Sequence, residues 1–295
     1  MRSNWKITVE DSLSEVFGEP IVVQDASSIG GGCINNSLRL VCNVGTFFLK
    51  WNNSGSSDLF LREAESLRTL YQATTELIIP KVITATEITT DSPGIIVIDF
   101  LRTDNSDSKQ KDEKMGVGLA QLHRVTNAQY GFSSDNYCGE TLQNNHWNSD
   151  WVSFFAEQRI WYLVKKIEQV RGLDKSEMNT YERFVNKLFT NLGHNPKASL
   201  THGDLWSGNY MYTDKGPALI DPACYFADRE CDLALMKMFG GFSQSVWNSY
   251  QAIYPLEKEW EERIDIYQLY HYLNHYLIFG GNYGMQAMMI TQHYV

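Results

Sequence analysis

The feature that most constrains the fold is a change of pattern at a polar segment, TDNSDSKQKDEK, at residues 103–114. Before it, short runs rich in β-branched and aromatic residues alternate with turn residues, a pattern typical of antiparallel hairpins. After it, apolar residues recur mainly at helical spacing. The polar segment cannot bury apolar surface, so we interpret it as a linker. The sequence therefore predicts an α+β protein with a small, mainly antiparallel sheet lobe at residues 1–102 and a larger, mainly helical lobe at residues 103–295.

The first lobe is predicted to carry one helix, at residues 59–71, where apolar positions follow helical spacing. In the second lobe, the predicted helices lie near residues 112–125, 149–170, 174–191, 228–239, 243–253 and 258–279. The exception is residues 199–221, where a loop is followed by two short β runs, YMYT at 210–213 and PALID at 217–221. A loop and a β-pair embedded among helices is a place to look for functional residues.

Composition excludes several classes of protein. The chain has 25 Lys and Arg against 35 Asp and Glu, a net charge of −10, which argues against nucleic acid as a partner. No stretch reaches the roughly 20 apolar residues of a membrane span, and the N-terminus has no signal-peptide pattern, so we expect a cytoplasmic protein. The five cysteines include no C-x-x-C pair and do not cluster with histidines, which predicts neither a disulfide framework nor a zinc site. They are Cys33, Cys42, Cys138, Cys224 and Cys231.

The strongest chemical signal is HGDLWSGN at residues 202–209, followed by Asp221 at the end of the second β run. Phosphoryl transfer to a hydroxyl uses a carboxylate that orients and deprotonates the hydroxyl, followed by an Asn and an Asp that bind magnesium. We therefore predict Asp204 as the catalytic base and Asn209 and Asp221 as Mg²⁺ ligands. His202 is interpreted as a structural residue that ties the loop to the core. The alternative is that the motif is only a turn.

The first lobe offers a matching nucleotide site. A glycine run, Gly30, Gly31 and Gly32, lies between two predicted strands and would allow close backbone approach to phosphates. Lys50 follows the apolar run TFFL and could reach the phosphates of ATP. It needs a carboxylate partner, for which Glu63 on the predicted helix is the first choice and Glu65 the second.

The end of the run VIDFL at residues 97–101 is predicted to hold adenine through the backbone of Asp99, Phe100 and Leu101. The glycine loop, lysine, helix glutamate, hinge, base and two metal ligands occur in the order found in kinases. That order is more specific than any single motif. It indicates a kinase of a hydroxyl compound that uses ATP and Mg²⁺.

The sequence resembles the fructosamine kinase (ketosamine-3-kinase) family, relatives of the aminoglycoside phosphotransferases with a protein-kinase-like two-lobed fold. The resemblance runs from about residue 8 to residue 285 and includes LFLREAESLRTL, THGDLWSGN, IDPACYFADRECDLAL and YQLYHYLNHYLIFGGNY. It implies phosphorylation of the 3-hydroxyl of a fructosamine or ribulosamine, on a small amine or on lysine. The phosphorylated product of such enzymes is unstable and eliminates, so the resemblance also implies deglycation.

The acceptor side is less determined by sequence. Trp206 is predicted either to form a platform under the sugar or to pack the loop against the core. Asp228 is expected to cap the following helix and Asp232 to brace the catalytic loop. Part of the aromatic run from Tyr267 to Tyr276 could wall the acceptor pocket. Two other functions stay open at this point: a kinase of another small hydroxyl compound, of the aminoglycoside, choline or homoserine type, and a catalytically inactive nucleotide-binding protein.

Cys33 follows the glycine run and would lie near backbone N–H groups that favour a thiolate. We hypothesise that its oxidation, including an intermolecular disulfide, suppresses ATP binding. The alternative is that Cys33 is only a small residue tolerated at this position. Without that disulfide, the sequence favours a monomer.

Overall fold

A computed structural model describes residues 5–30, 35–74, 76–104, 106 and 109–295. The predicted α+β architecture is confirmed, with a sheet lobe followed by a helical lobe. The first lobe contains the elements α1 (Trp5–Phe17), β1 (Val23–Ser28), β2 (Asn36–Cys42), β3 (Gly45–Asn52), α2 (Leu59–Ala73), β4 (Val82–Thr86) and β5 (Gly94–Asp99). The five strands form one antiparallel sheet in the order β1-β2-β3-β5-β4.

Helix α1 was absent from the sequence prediction, which gave this lobe a single helix. Only Val9 and Leu13 of α1 are buried, and Trp5 at its start packs against the same core while partly buried. They pack in a small core with the sheet residues Leu40, Leu49 and Val97. So narrow an apolar stripe gives almost no periodic signal in the sequence.

The helices and strands of the second lobe surround a large core that also includes Phe60, Leu67 and Ile96 of the first lobe. In chain order they are α3 (Lys109–Leu122), β6 (Thr126–Asn127), β7 (Asn136–Cys138), β8 (Thr141–Gln143), α4 (Trp151–Phe155), a π-helical segment (Ala156–Trp161), α5 (Tyr162–Arg171), α6 (Lys175–Leu192), β9 (Ala198–Thr201), β10 (Tyr210–Thr213), β11 (Gly216–Leu219), β12 (Tyr225–Ala227), α7 (Glu230–Phe239), α8 (Gln244–Ile253), α9 (Trp260–Phe279) and α10 (Asn282–His293).

Short antiparallel strands in this lobe position the predicted catalytic segment. Strands β10 and β11 form the predicted β-pair, and β9 lies between β6 and β12 in a small sheet. All four residues of β9 are buried, so the loop that follows it starts from a fixed point in the core. Strands β7 and β8 form a separate hairpin.

The two lobes are joined by backbone hydrogen bonds as well as by the chain itself. The amide of Ile78 donates to the carbonyl of Pro217 at 2.8 Å, and the amide of Leu219 donates to the carbonyl of Ile78 at 3.0 Å. The predicted linker is partly helical, since α3 begins within it at Lys109. These contacts fix the hairpin β10–β11, and with it Asp221, against the first lobe. Within the described ranges, no helix has both the length and the apolar character needed to cross a membrane.

Candidate active site

The loop between β9 and β10 is held by the side chain of His202. The amide of Asp204 donates to His202 Nδ1 at 3.3 Å, so the ring proton is on Nε2, which donates to the carbonyl of Ile220 at 2.9 Å. Burial lowers the pKa of His202, which keeps the ring neutral. His202 therefore ties the loop to the strand end that carries Asp221, and its predicted structural role is confirmed.

Asp232, in the first turn of α7, also fixes the loop between β9 and β10. Its carboxylate accepts hydrogen bonds from the amides of His202 and Gly203 at 2.6 and 2.9 Å, and from Nε2 of His123 at 3.1 Å. Burial alone would raise the pKa of Asp232, but the hydrogen bond and charge of His123 lower it overall. The predicted bracing role of Asp232 is confirmed.

Asp228 lies just before α7 and accepts a hydrogen bond from the amide of Glu230 at 3.0 Å, as a residue that caps a helix does. Its second carboxylate oxygen accepts from Tyr267 and is 2.6 Å from His194. Asp228 thus also anchors α7 to α9. It faces the interior of the lobe, because its side chain is almost completely buried.

Lys50 is the point where the two lobes meet. Strand β3 places its Nζ 2.8 Å from Glu63 on α2 and 2.5 Å from Asp221. Burial would lower the pKa of Lys50, but the charges and hydrogen bonds of the two carboxylates raise it overall, so the ammonium stays charged. The predicted Lys50–Glu63 pair is present, whereas Glu65 accepts hydrogen bonds from Arg62, Ser133 and Ser134 instead.

Asp221 has a left-handed backbone conformation, with φ of 57°. A non-glycine residue in this region costs about 1–2 kcal/mol and is retained where surrounding contacts demand it. Here the preceding amide, of Ile220, donates to the carbonyl of Asn209 at 3.0 Å. The strained turn directs the Asp221 carboxylate towards the first lobe, where one oxygen meets Lys50.

Asp204 and Asn209 are joined directly. Asn209 Nδ2 donates to the Asp204 carbonyl at 2.8 Å and to its Oδ2 at 3.0 Å. Burial and the negative charge of Asp221 raise the pKa of Asp204 to about 7. The structure therefore brings Asp204, Asn209, Asp221, Lys50 and Glu63 into one connected group at the lobe boundary.

The fructosamine kinase family model matches residues 5–295. The chain belongs to the fructosamine kinase family. It is 37% identical to a Vibrio cholerae protein named "Probable ketoamine kinase", over 98% of both chains. It is 35% identical to the chloroplastic protein-ribulosamine 3-kinase of Arabidopsis thaliana, over 97% of this chain and 88% of that one. A solved structure from Haemophilus somnus that carries the fructosamine-3-kinase name superposes with a TM-score of 0.87, at 27% identity over 97% and 96% of the two chains.

The other residues predicted for the nucleotide site belong to the glycine run and to the end of β5. Gly30 is the last described residue of its segment, and Gly31, Gly32 and Cys33 lie outside the described residues. Asp99 ends β5, and its amide donates to the carbonyl of Lys81 at 3.0 Å. Phe100 lies under the guanidinium of Arg39. The adenine-binding role of Asp99, Phe100 and Leu101 and the redox role of Cys33 stay predictions.

Trp206 is neither fully exposed nor part of the core. Its side chain is 37% exposed, and its ring lies 5.9 Å from that of Phe239. Gly208 packs under the indole so closely that an added Cβ would come within 2.2 Å of it. The ring is thus held between Gly208 and Phe239 with part of its surface exposed, and its platform role stays a prediction.

Sequence reasoning missed two residues next to Asp204. Ligand atoms of Cys138 and His271 lie within 4.8 Å of the Asp204 carboxylate and of one another. Cys138 ends β7 and His271 lies on α9, far from Asp204 along the chain. The aromatic pattern around His271 suggested only that part of α9 walls a pocket, and nothing in the sequence placed Cys138 there.

Proposed function

We propose that the protein transfers the γ-phosphoryl group of ATP to the 3-hydroxyl of a ketosamine, a ketose sugar attached to a small amine or to lysine. The observation that carries the proposal is the connected group of Asp204, Asn209, Asp221, Lys50 and Glu63 in a member of the fructosamine kinase family. The relatives named ketoamine kinase and protein-ribulosamine 3-kinase support the ketosamine as acceptor.

Lys50 is prepared to bind the phosphates of ATP. Its ammonium is buried and charged, and Glu63 holds it from the α2 side. In the described structure, Asp221 takes the other side of the ammonium. When ATP binds, its negatively charged phosphates would pair with the Lys50 ammonium. Phosphate binding is the usual role of this lysine in enzymes of this fold.

Asn209 and Asp221 fit the requirements of a magnesium site. Asn209 uses its amide nitrogen to bind Asp204, so its amide oxygen is the atom that can bind a metal. Asp221 uses Oδ1 to bind Lys50, and its side chain is partly exposed. Both offer oxygen donors, which Mg²⁺ prefers. When bound, Mg²⁺ would neutralise charge on the β- and γ-phosphates during transfer.

Asp204 is the group that can accept the proton of the acceptor. As the 3-oxygen bonds to the γ-phosphorus and the bond to ADP breaks, the hydroxyl proton passes to the Asp204 carboxylate. Asn209 fixes the carboxylate through Oδ2, which leaves Oδ1 for the hydroxyl. Burial raises the pKa of Asp204 to about 7 and makes the carboxylate a stronger base than an exposed aspartate.

The test is ADP release by the purified protein with ATP and Mg²⁺. Ribuloselysine and fructoselysine are compared with kanamycin and choline, and Asp204→Asn is the matched variant. We expect turnover on the ketosamines and a loss of about 10²–10⁴-fold or more in the variant, as for removal of a general base. Thermal stabilisation of Asp204→Asn by ATP and Mg²⁺ would show that the variant still folds and binds nucleotide.

Turnover on kanamycin or choline alone would reject the ketosamine and retain the catalytic group. Nucleotide binding without turnover on any acceptor would favour the inactive nucleotide-binding protein.

A further inference from the structure

Three potential metal ligands of different chemical type meet beside the catalytic loop. Cys138 from β7, His271 from α9 and Asp204 place a sulfur, a ring nitrogen and a carboxylate oxygen within 4.8 Å of one another. The three residues come from separate elements, so only the folded lobe brings them together. The proposed function uses Asp204 but gives no role to Cys138 or His271.

Two buried polar atoms at this place have no hydrogen-bond partner in the part of the chain that the structure describes. His271 is 4% exposed, and its Nδ1 is buried without a partner among the described residues. Asn274, one turn further along α9, donates through Nδ2 to the sulfur of Cys138 at 3.4 Å and to the Cys138 carbonyl at 3.2 Å, while its Oδ1 is buried without a partner. Leaving a buried polar group without a hydrogen-bond partner destabilises a protein. Such atoms beside a cysteine and an aspartate point to a ligand.

We propose that Cys138, His271 and Asp204 bind Zn²⁺ and that the bound zinc inhibits the enzyme. Zn²⁺ takes sulfur, imidazole nitrogen and carboxylate oxygen together, in a tetrahedral arrangement whose fourth position can hold water. Mg²⁺ requires oxygen ligands and would not compete for this set. The site is therefore chemically distinct from the one proposed at Asn209 and Asp221, although it shares the catalytic carboxylate.

The protonation states of His271 and Cys138 suit the binding of zinc. Burial lowers the pKa of His271 to about 3, so the ring is neutral and can bind a metal at physiological pH. Burial and the charge of Asp204 raise the pKa of Cys138 well above its ordinary value, so the thiol holds its proton until a cation replaces it. Zinc binding then releases that proton to solvent, and the zinc affinity rises with pH.

Charges of both signs surround the three ligands. The guanidinium of Arg159 and the ammonium of Lys50 oppose cation binding, since their charges lower the pKa of Cys138 and of Asp204 respectively. The carboxylates of Asp221 and Asp232 act in the other direction, because their charges raise the pKa of Asp204. The Asn274 amide donates to the sulfur and would stabilise the metal-bound thiolate in the way that outer hydrogen bonds support metal ligands.

Inhibition follows from the shared residue and rests on the proposed function. With its carboxylate on zinc, Asp204 cannot accept the proton of the acceptor hydroxyl. Zinc should therefore compete with the ketosamine and leave ATP binding intact. Excess Mg²⁺ should not relieve the inhibition, because Mg²⁺ does not replace zinc on sulfur and nitrogen.

The first experiment measures binding without reference to activity. Equilibrium dialysis with Zn²⁺ should show one site per chain, and Co²⁺ in its place should give a thiolate-to-cobalt charge-transfer band in the near ultraviolet. Cys138→Ser should remove the band, and Cys138→Ser and His271→Gln should each weaken zinc binding by at least about 10-fold. Cys42→Ser removes a buried free cysteine of the first lobe and should change neither the cobalt band nor the zinc affinity. Equal zinc binding by all four proteins would overturn the site.

The second experiment compares the activity of each protein with and without zinc at fixed Mg²⁺, so that differences in basal rate do not matter. We expect inhibition that is competitive with the ketosamine and is weakened at least about 10-fold in Cys138→Ser and His271→Gln. Inhibition that is unchanged in both variants, or that excess Mg²⁺ reverses, would overturn the inhibitory role. If the metal-free protein has no ketosamine kinase activity, the proposed function fails while the binding result stands.

Discussion

At the scale of single residues, Lys50 decides how the two lobes are coupled. It is 7% exposed and bound to one carboxylate from each lobe. Removing one partner from a buried ion pair is strongly destabilising, by about 3–5 kcal/mol, because the other charge stays buried. Asp221 remains available to Lys50 when Glu63 is lost, so the ammonium would shift towards Asp221 and away from its central position.

Glu63→Gln tests whether this central position matters. We expect kcat/KM to fall by about 10²-fold, because a displaced Lys50 would lose its proposed alignment with the phosphates of ATP. Glu65→Gln is the matched control on the same helix, since Glu65 binds Arg62 and two serines rather than Lys50. It should lose at most about 1 kcal/mol of stability and leave kcat/KM near the wild-type value. Steady-state kinetics with ATP varied would distinguish the two, and equal effects would exclude a special role for Glu63.

The residues of this group were predictable because their chemistry is ordered along the chain. Lys50, Glu63, Asp204, Asn209 and Asp221 each follow a recognisable strand, helix or loop pattern. Cys138 and His271 were not predictable, since no local pattern relates a β-hairpin cysteine to a residue on a distant helix. Their proximity is a product of tertiary packing alone.

At the scale of elements, the catalytic loop is fixed by close packing at Gly203. This residue has φ of 82°, and an added Cβ would lie 2.0 Å from the carbonyl oxygen of Ala223. The amide of Ala223 in turn donates to the carbonyl of His202 at 3.0 Å. The loop and the segment before β12 therefore approach as closely as a glycine permits.

Gly203→Ala should destabilise the protein through both backbone strain and this contact. Gly172→Ala is the matched control, because Gly172 has φ of 75° and open space where its Cβ would lie. The control should cost only the strain of the left-handed backbone, about 1–2 kcal/mol, whereas Gly203→Ala should cost about 1–3 kcal/mol more. Chemical denaturation measures both changes in the free energy of unfolding. Equal losses would show that the loop can move away from Ala223 without cost.

Elements with clear periodicity were predicted well, and those without it were not. The helix predicted at 174–191 is α6 (Lys175–Leu192), and the predicted β-pair is β10 and β11. Strands β6, β7, β8 and β12 have only two or three residues each, too few to show alternation. Helix α10 has only two buried residues, so its sequence lacked a defined apolar face.

At the scale of the whole molecule, buried charges connect the helices behind the active site. His194 and Tyr267 both bind Asp228, and Arg263 binds Glu230 through two hydrogen bonds. The overall charge of −10 indicated an acidic protein but not this internal network. Because the network joins the end of α6, the start of α7 and the middle of α9, its protonation should affect the stability of the entire second lobe.

His194 gives this network a pH dependence with a defined sign. Burial alone would lower the pKa of His194, but the hydrogen bond and charge of Asp228 raise it overall. A raised folded pKa stabilises the protein fully below the unfolded value of about 6.5, and that contribution is lost as pH rises through the folded pKa. Asp228 has a lowered pKa, so its own contribution is present above about pH 4 and lost below.

We therefore expect the difference in free energy of unfolding between wild type and His194→Gln to be largest between about pH 4 and pH 6.5 and to shrink at higher pH. The comparison uses this difference and not the stability of either protein alone. The buried neutral His202 and His271 have lowered pKa values, so both proteins lose stability as pH falls below about 6.5. His146→Gln, which removes an exposed histidine outside this network, is the control variant. Urea denaturation of the three proteins from pH 4.5 to pH 8.5 measures the differences in free energy of unfolding. A difference that stays constant across this range would mean that His194 stabilises the lobe by packing and not by its charge.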